Sequence, residues 1–334
     1  MLDTLLQLAL FTTKTIIILV FILALLTGII AIASRGKDKS TGKITLKNLN
    51  KKYHDTKDAL LEEILPKDKF KAYLKEQKKA AKCQQHSTDE AEVKNVFVLD
   101  FHGDIKASAV TSLREEITAV LGIATEQDEV VVRVESAGGM VHAYGLAAAQ
   151  LERLRQHNIP LTVIVDKVAA SGGYLMACVA NKILAAPFAI IGSIGVVMQL
   201  PNFHRLLKDK HIDFEQLTAG NYKRTITMFG HNTDQGREKA LEEIQEVHEL
   251  FKHVIQEHRQ QIDIEKVSTG EHWLGSQALE LKLIDELQTS DDYLLSQSEN
   301  AHVYELHYQC KKSVGEKLAS AMGMLGFSPG KFFI

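Results

Sequence analysis

From Asn95 onward the chain alternates between two periodicities, and this limits the fold more than any other feature of its 334 residues. Runs rich in β-branched and aromatic residues at 96–101, 130–135, 161–165 and 194–199 read as strands. Between them, 109–123 and 142–157 repeat apolar residues at helical spacing, and a long helical pattern covers 234–261. Strands alternating with helices predict a mostly parallel sheet joined by helical crossovers, so residues 95–290 read as an α/β domain. With 45% apolar residues the chain can bury a sizeable core. Residues 291–334 read as a C-terminal extension: a helix, a strand-like run at 302–308 and an amphipathic tail.

The first 94 residues have a different texture. After a flank of residues 1–14, positions 15–33 hold 19 residues without a charge, rich in Ile and Leu. At about 1.5 Å per residue these nearly match a hydrocarbon core of about 30 Å, so one transmembrane anchor is expected. The run exceeds the apolar stretch of a cleaved signal peptide and lacks a basic segment before it. Residues 34–94 read as a basic, partly helical tether: Leu60, Leu61, Ile64 and Leu65 form a short helical stripe, Pro66 interrupts it, and a Lys-rich stretch runs to Lys82. Arg35, Lys37, Lys39, Lys43, Lys47, Lys51 and Lys52 follow the apolar run, whereas Lys14 and the amino terminus precede it. The positive-inside rule applied to these charges places the body in the cytoplasm. The same basic run reads either as a solvated face or as a contact for anionic lipid headgroups.

Composition excludes several function classes. Residues 35–82 carry 15 Lys and Arg against 7 Asp and Glu, but residues 83–334 sum to −11, a poor surface for nucleic acid. Cys83, Cys178 and Cys310 are odd in number and far apart, and point neither to a disulfide framework nor to a zinc site. Fourteen histidines invite a metal, yet after His248-Glu249 the zinc-peptidase spacing falls on Lys252, and His253 comes one residue too late.

Three short segments could carry chemistry. Ser171, in V-A-A-S-G-G-Y, falls between a strand and an apolar helix, where a serine reads either as an approachable nucleophile or as an N-cap. It is not in a G-x-S-x-G elbow, because position 169 is Ala, which disfavours an α/β-hydrolase. Gly138 and Gly139 follow a strand in E-S-A-G-G-M, where their N–H groups could receive an oxyanion or simply turn the chain. Lys223, beside Arg224, reads on its own as a solvated loop lysine.

Four motifs taken together resemble the SohB and signal peptide peptidase A family of serine peptidases: S-A-G-G at 136–139, A-S-G-G-Y at 170–174, G-S-I-G-V-V at 192–197 and N-Y-K-R-T at 221–225, in that order. The similarity covers about residues 95–290, including T-G-E-H-W at 269–273. It implies a fold of the Clp protease and crotonase group, with Ser171 as nucleophile and Lys223 as general base. A backbone N–H of Gly138 or Gly139 would serve the oxyanion, and Ser193 would hydrogen-bond the Lys223 amine. Position 137 departs from many relatives, being Ala where they have Pro before the glycine pair.

The resemblance further implies peptide or protein substrates such as signal-peptide remnants, no metal or other cofactor, and a homo-oligomer whose dyad is shared between subunits. It also implies the bacterial inner membrane, with the catalytic body facing outward, against the charge count. A free lysine has a pKa near 10.4, so Lys223 can accept a proton at neutral pH only where its surroundings disfavour the ammonium, and burial is the available means. Three rivals stand beside the dyad: a Ser-His-Asp hydrolase using His204 or His231, a membrane scaffold that kept the fold without catalysis, and an acyl-CoA enzyme of crotonase type.

Overall fold

In the computed structural model of the chain the described residues are 7, 10–21, 42–86 and 93–309. They divide into two compact units, Thr45–His307 and a smaller one made of Met1–Ile44 with Tyr308–Ile334. In the smaller unit residues 10–21 are helical. Among the described residues no helix is long and apolar enough to cross a membrane. The expected anchor, 15–33, lies outside the described residues from position 22 on, as does the tail from 310.

The larger unit is built on a seven-stranded sheet ordered β1-β10-β2-β3-β4-β6-β9. Its strands are β1 (Lys43–Asn48), β2 (Asn95–His102), β3 (Glu129–Glu135), β4 (Leu161–Val165), β6 (Lys182–Ala185), β9 (Glu286–Leu287) and β10 (His302–Gln309). From β10 to β9 every neighbouring pair is parallel. A second, three-stranded sheet orders β5 (Val168–Ala170), β7 (Ile190–Gly192) and β8 (His272–Leu274), with β8 antiparallel to β7.

The strands bury both faces, which is why their sequences read as nearly unbroken apolar runs. Alternate side chains go to opposite sides. Phe97, Leu99 and Phe101 join Val130, Val132 and Leu161 in the main core, whereas Val96, Val98, Val131 and Ile164 pack on the other face under Tyr293 and Leu294. Helices α3 (Val110–Leu121) and α4 (Val141–Gln156) cover the main-core face with Leu113, Ile117, Leu151 and Leu154. The tether contributes α1 (Leu49–Ile64) and α2 (Lys67–His86), broken at Pro66 as its sequence predicts. Leu49 is buried in the second cluster. The Asn50 side chain donates to the carbonyls of Ser298 and Ala301 and accepts from the Val303 N–H.

Short helix α5 (Gly172–Ala177) follows β5, and α6 (His204–Asp209) interrupts a long irregular stretch. Helix α7 (Asp234–His258) starts at Thr233, whose hydroxyl accepts the Gly236 N–H. It stops three residues short of the predicted end, where the buried Arg259 guanidinium pairs with Asp285 instead. Helices α8 (Ile264–Val267), α9 (Gly275–Glu280) and α10 (Ser290–Gln297) complete the unit.

One predicted strand, 194–199, does not form; the strand is β7, earlier at Ile190–Gly192, and residues 193–203 have no regular structure. Gly192 and Ser193 both take positive φ, 101° and 51°, which turns the chain out of extended geometry. The Ser193 N–H then donates to the Glu271 carbonyl, and Gly270 donates to Ile194.

Candidate active site

Ser171 sits where β5 ends and α5 begins, with φ 51° and ψ −119°. This is uncommon for a residue carrying a Cβ and is held only where surrounding bonds fix it. Here the Ser171 N–H donates to Gly192 at 2.7 Å, and its carbonyl accepts the Leu175 N–H at 2.9 Å. The side chain makes no capping bond to the helix, although the residue occupies the N-cap position. The hydroxyl is thus left for another use.

The glycine turn lies directly against it. Gly138 has φ 91°, and a Cβ there would stand 2.8 Å from the Ser171 Cβ and 2.7 Å from the Gly172 nitrogen. Strand bridging sets this approach: the Ser136 N–H donates to Val168, and the Ala170 N–H donates back to Ser136. The two glycines differ in their backbone bonds. Gly138 donates to Ser136 Oγ at 3.1 Å, and Met140 donates to the Ile105 carbonyl at 2.8 Å. Between them, Gly139 has no acceptor among the described residues. Gly172, first residue of α5, likewise has no intrahelical partner by position and no other among the described residues.

Two cavities flank Ser171 and share it with Gly139, Gly195, Val196 and Val197. One, of about 240 Å³, is walled by apolar side chains including Val141, Leu175, Phe251 and Val254. The other, of about 600 Å³, is lined by Gly138, Ser193, His248 and Thr269. The structure therefore brings Ser171, Gly138, Gly139 and Ser193 to one place.

Lys223 is not among them. It lines neither cavity and is exposed, on a turn where its N–H donates to Gly220 at 3.2 Å. The neighbouring Tyr222 ring faces Lys239 Nζ at 5.5 Å. His204 and His231 meet each other, ring centroids 5.6 Å apart, in a separate cavity with Arg205 and Asp234.

Sequence reasoning weighed His248 only as a metal ligand. In the structure it reaches the Ser171 cavity from α7, and its Nε2 is buried without a hydrogen-bond partner among the described residues. Its place one residue after Val247 and three before Phe251, on a helix that lines the cavities at Ser171, was a signal available in the pattern. Among the described residues one trio, Asp100, Glu305 and His307, offers ligand atoms within 4.8 Å of one another. The Arg133 guanidinium pairs there with both carboxylates and Lys47 Nζ lies 3.2 Å from Glu305, so two cations already balance the two carboxylates.

Comparison with known proteins finds this chain similar in sequence to peptidases. Residues 3–151 match the family described as "Peptidase family S49 N-terminal", and residues 153–304 match "Peptidase family S49". The chain is 46% identical over 325 residues to the "Probable protease SohB" of Haemophilus influenzae, covering 94% of this chain and 92% of that one. It is 56% identical over 229 residues to the "Probable protease SohB" of Buchnera aphidicola from Acyrthosiphon pisum, covering 69% and 68%. Among solved structures, a membrane-bound stomatin-specific protease in complex with a substrate peptide aligns at TM-score 0.44 and 16% identity, covering 69% of this chain and 98% of that one.

Proposed function

Because the chain belongs to peptidase family S49, we propose that it is a serine endopeptidase working through a dyad of Ser171 and Lys223. The observation that carries this reading is Ser171 itself: positive φ, a hydroxyl that caps nothing, and beside it the N–H groups of Gly139 and Gly172, which have no acceptor among the described residues.

In the proposed reaction Ser171 Oγ attacks the peptide carbonyl carbon and passes its proton to the neutral Lys223 amine. The carbonyl oxygen becomes an oxyanion and takes hydrogen bonds from the Gly139 and Gly172 N–H groups. Since Gly138 already donates to Ser136, Gly139 is the better donor of the pair. As the tetrahedral species collapses, the C–N bond breaks and the leaving amine receives the proton from Lys223. Water, deprotonated by the same amine, then attacks the acyl-enzyme and releases Ser171.

Lys223 must be buried beside Ser171 for this to run at neutral pH. In one copy it is exposed on an arm, residues 196–230, that also exposes Val197, Met198, Leu206, Phe214 and Leu217. Exposed apolar side chains of this number suit a contact with a second copy. The reading is therefore a homo-oligomer in which packing of the arm carries Lys223 to a Ser171 cavity, where Ser193 hydrogen-bonds its amine. The Clp protease and crotonase grouping belongs to this reading.

The apolar cavity fits a substrate side chain such as Leu, Val or Phe, so extended apolar peptides, signal-peptide remnants among them, are the proposed substrates. The uncharged run at 15–33 supports a bacterial inner-membrane anchor, and the basic residues after it support lipid contact.

Fluorogenic apolar peptides offered to full-length Ser171→Ala and Lys223→Met, each shown to be folded, test the dyad. Both variants are expected to lose at least about a thousandfold in kcat. Full hydrolysis by either one refutes it.

A further inference from the structure

The resting bond of Gly138 leads to a group the proposed reaction does not use. Ser136 Oγ lies 2.5 Å from Tyr144 Oη, and Tyr144 Oη donates to the Asp104 carbonyl at 2.8 Å. Each hydroxyl has one proton. Tyr144 has spent its proton on Asp104, so Ser136 must donate to Tyr144, and this leaves the Ser136 lone pairs to accept the Gly138 N–H. The result is one directional chain from Gly138 through Ser136 and Tyr144 to Asp104, with every donor used. Chains of this kind strengthen each bond in turn inside a low-dielectric core, and Tyr144 is fully buried.

The same tyrosine sets the other proposed donor. A Cβ on Gly172 would lie 2.4 Å from Tyr144 Cγ, so the ring forms the floor under the first residue of α5. Ser136 meanwhile binds β5 through its backbone and, through its carbonyl, backs Gly173 at 2.5 Å from where a Cβ would be. Ala137 lacks the ring that would otherwise stiffen the turn, so rigidity must come from bonding.

We propose that Ser136 and Tyr144 are positioning residues for the oxyanion donors: their hydroxyl chain pins the Gly138 N–H away from the cleft and holds the Gly139 and Gly172 N–H groups at the developing charge. This inference rests on the serine-peptidase reading above. It predicts an effect on the transition state and little on substrate affinity.

The test uses full-length Ser136→Ala, Tyr144→Phe, the double variant and Ser136→Thr, with Ser171→Ala as reference. In Ser136→Ala and Tyr144→Phe, kcat is expected to fall about ten- to hundredfold, since small misplacements of reacting groups cost that much. KM should stay within about twofold, the signature of a contact made only in the transition state. Affinity for a peptide boronate, which forms the tetrahedral adduct, should fall by the same factor as kcat. The double variant should be no worse than its weaker parent, and Ser136→Thr should restore most activity. Should Tyr144→Phe fail to fold, Ser136→Ala and Ser136→Thr decide the matter alone. Unchanged kcat, a rise confined to KM, or a lowered Tm with boronate affinity intact overturns the inference. Undiminished hydrolysis by Ser171→Ala instead removes the serine-peptidase reading, and the inference falls with it.

Discussion

The turns around Ser171 and the arm around Lys223 are held in opposite ways. At the turns, short backbone bonds cross between segments distant in sequence: Ser136 to Val168, Ala170 to Ser136, Ser171 to Gly192 and Ser193 to Glu271. Such bonds leave Ser171 little freedom, and its unfavourable φ persists because they over-determine it. The arm has one short helix, α6, and its own small cluster in which Phe229 meets Phe203 and Phe214. Leu217 is 95% exposed and Val197 77%. One half of the proposed dyad is thus finished within a single copy, while the other half is carried on a surface that lacks a cover. The contrast teaches that a nucleophile can be fixed by local geometry, whereas a neutral lysine depends on what closes over it.

The largest expected effect comes from mixing two dead proteins. If the arm of one copy completes the site of another, co-assembled Ser171→Ala and Lys223→Met subunits recover hydrolysis that each lacks alone, against a starting loss of at least about a thousandfold. Activity measured after co-expression and joint purification reads this out. No recovery places both groups in one copy, and the comparison then describes a motion of the arm within a subunit rather than an assembly.

Next in size is Gly138→Ala. The added methyl meets Ser171 Cβ and the Gly172 nitrogen at under 3 Å, at a φ that L residues rarely adopt. The turn must shift, and loss of one aligned oxyanion donor costs about a hundredfold in kcat. Wild-type kcat in Gly138→Ala would show that the turn is far softer than its bonds suggest.

The same contrast explains what was legible in the sequence. Strands β2, β3 and β4 stood out as short, nearly unbroken apolar runs because both of their faces are buried, and helices α3 and α4 because each turns one apolar face to the main core. Ser171, Gly138, Gly139 and Ser193 were legible through motif order and do converge. The strand placed at 194–199 failed because β-branched residues there serve the wall of a cleft, while positive φ at Gly192 and Ser193 ends the strand early. The hydroxyl chain through Tyr144 was invisible, since nothing in a helical pattern distinguishes a core tyrosine from one that bonds to Ser136. Lys223 was singled out by motif order alone, and in one copy of the chain it lines neither cavity at Ser171.

A smaller effect sharpens the comparison at the apolar cavity. Val141 is 53% exposed and lines its mouth, so Val141→Trp narrows the cavity without disturbing the core. Peptides presenting Leu or Phe beside the cleaved bond should lose about tenfold in kcat/KM relative to those presenting Ala, a typical worth for pocket contacts. Equal loss for all three would assign the cavity another role.

The smallest effect concerns the scaffold beneath both regions. Burial alone would raise the pKa of Glu305, but hydrogen bonds from Arg133 and Lys47 overcome it and hold the carboxyl below its ordinary 4.5. Asp128 behaves alike: burial pushes upward, and the N–H groups of Thr125 and Asn95 with their side chains pull it below 3.8. A carboxyl depressed on folding contributes stability that is fully present above its unfolded pKa and lost as pH falls through the folded one. Chemical-denaturation midpoints should therefore hold from pH 7 to about 5 and decline below about 4.5, the unfolded range of these groups. Glu305→Gln should flatten part of that decline while leaving kcat at pH 7 unchanged, because Glu305 lies on β10, in a sheet separate from the one that carries Ser171. A matching drop in kcat would mean that β10 and the Ser171 turn are coupled, and that the turn's own bonds do not suffice to hold it.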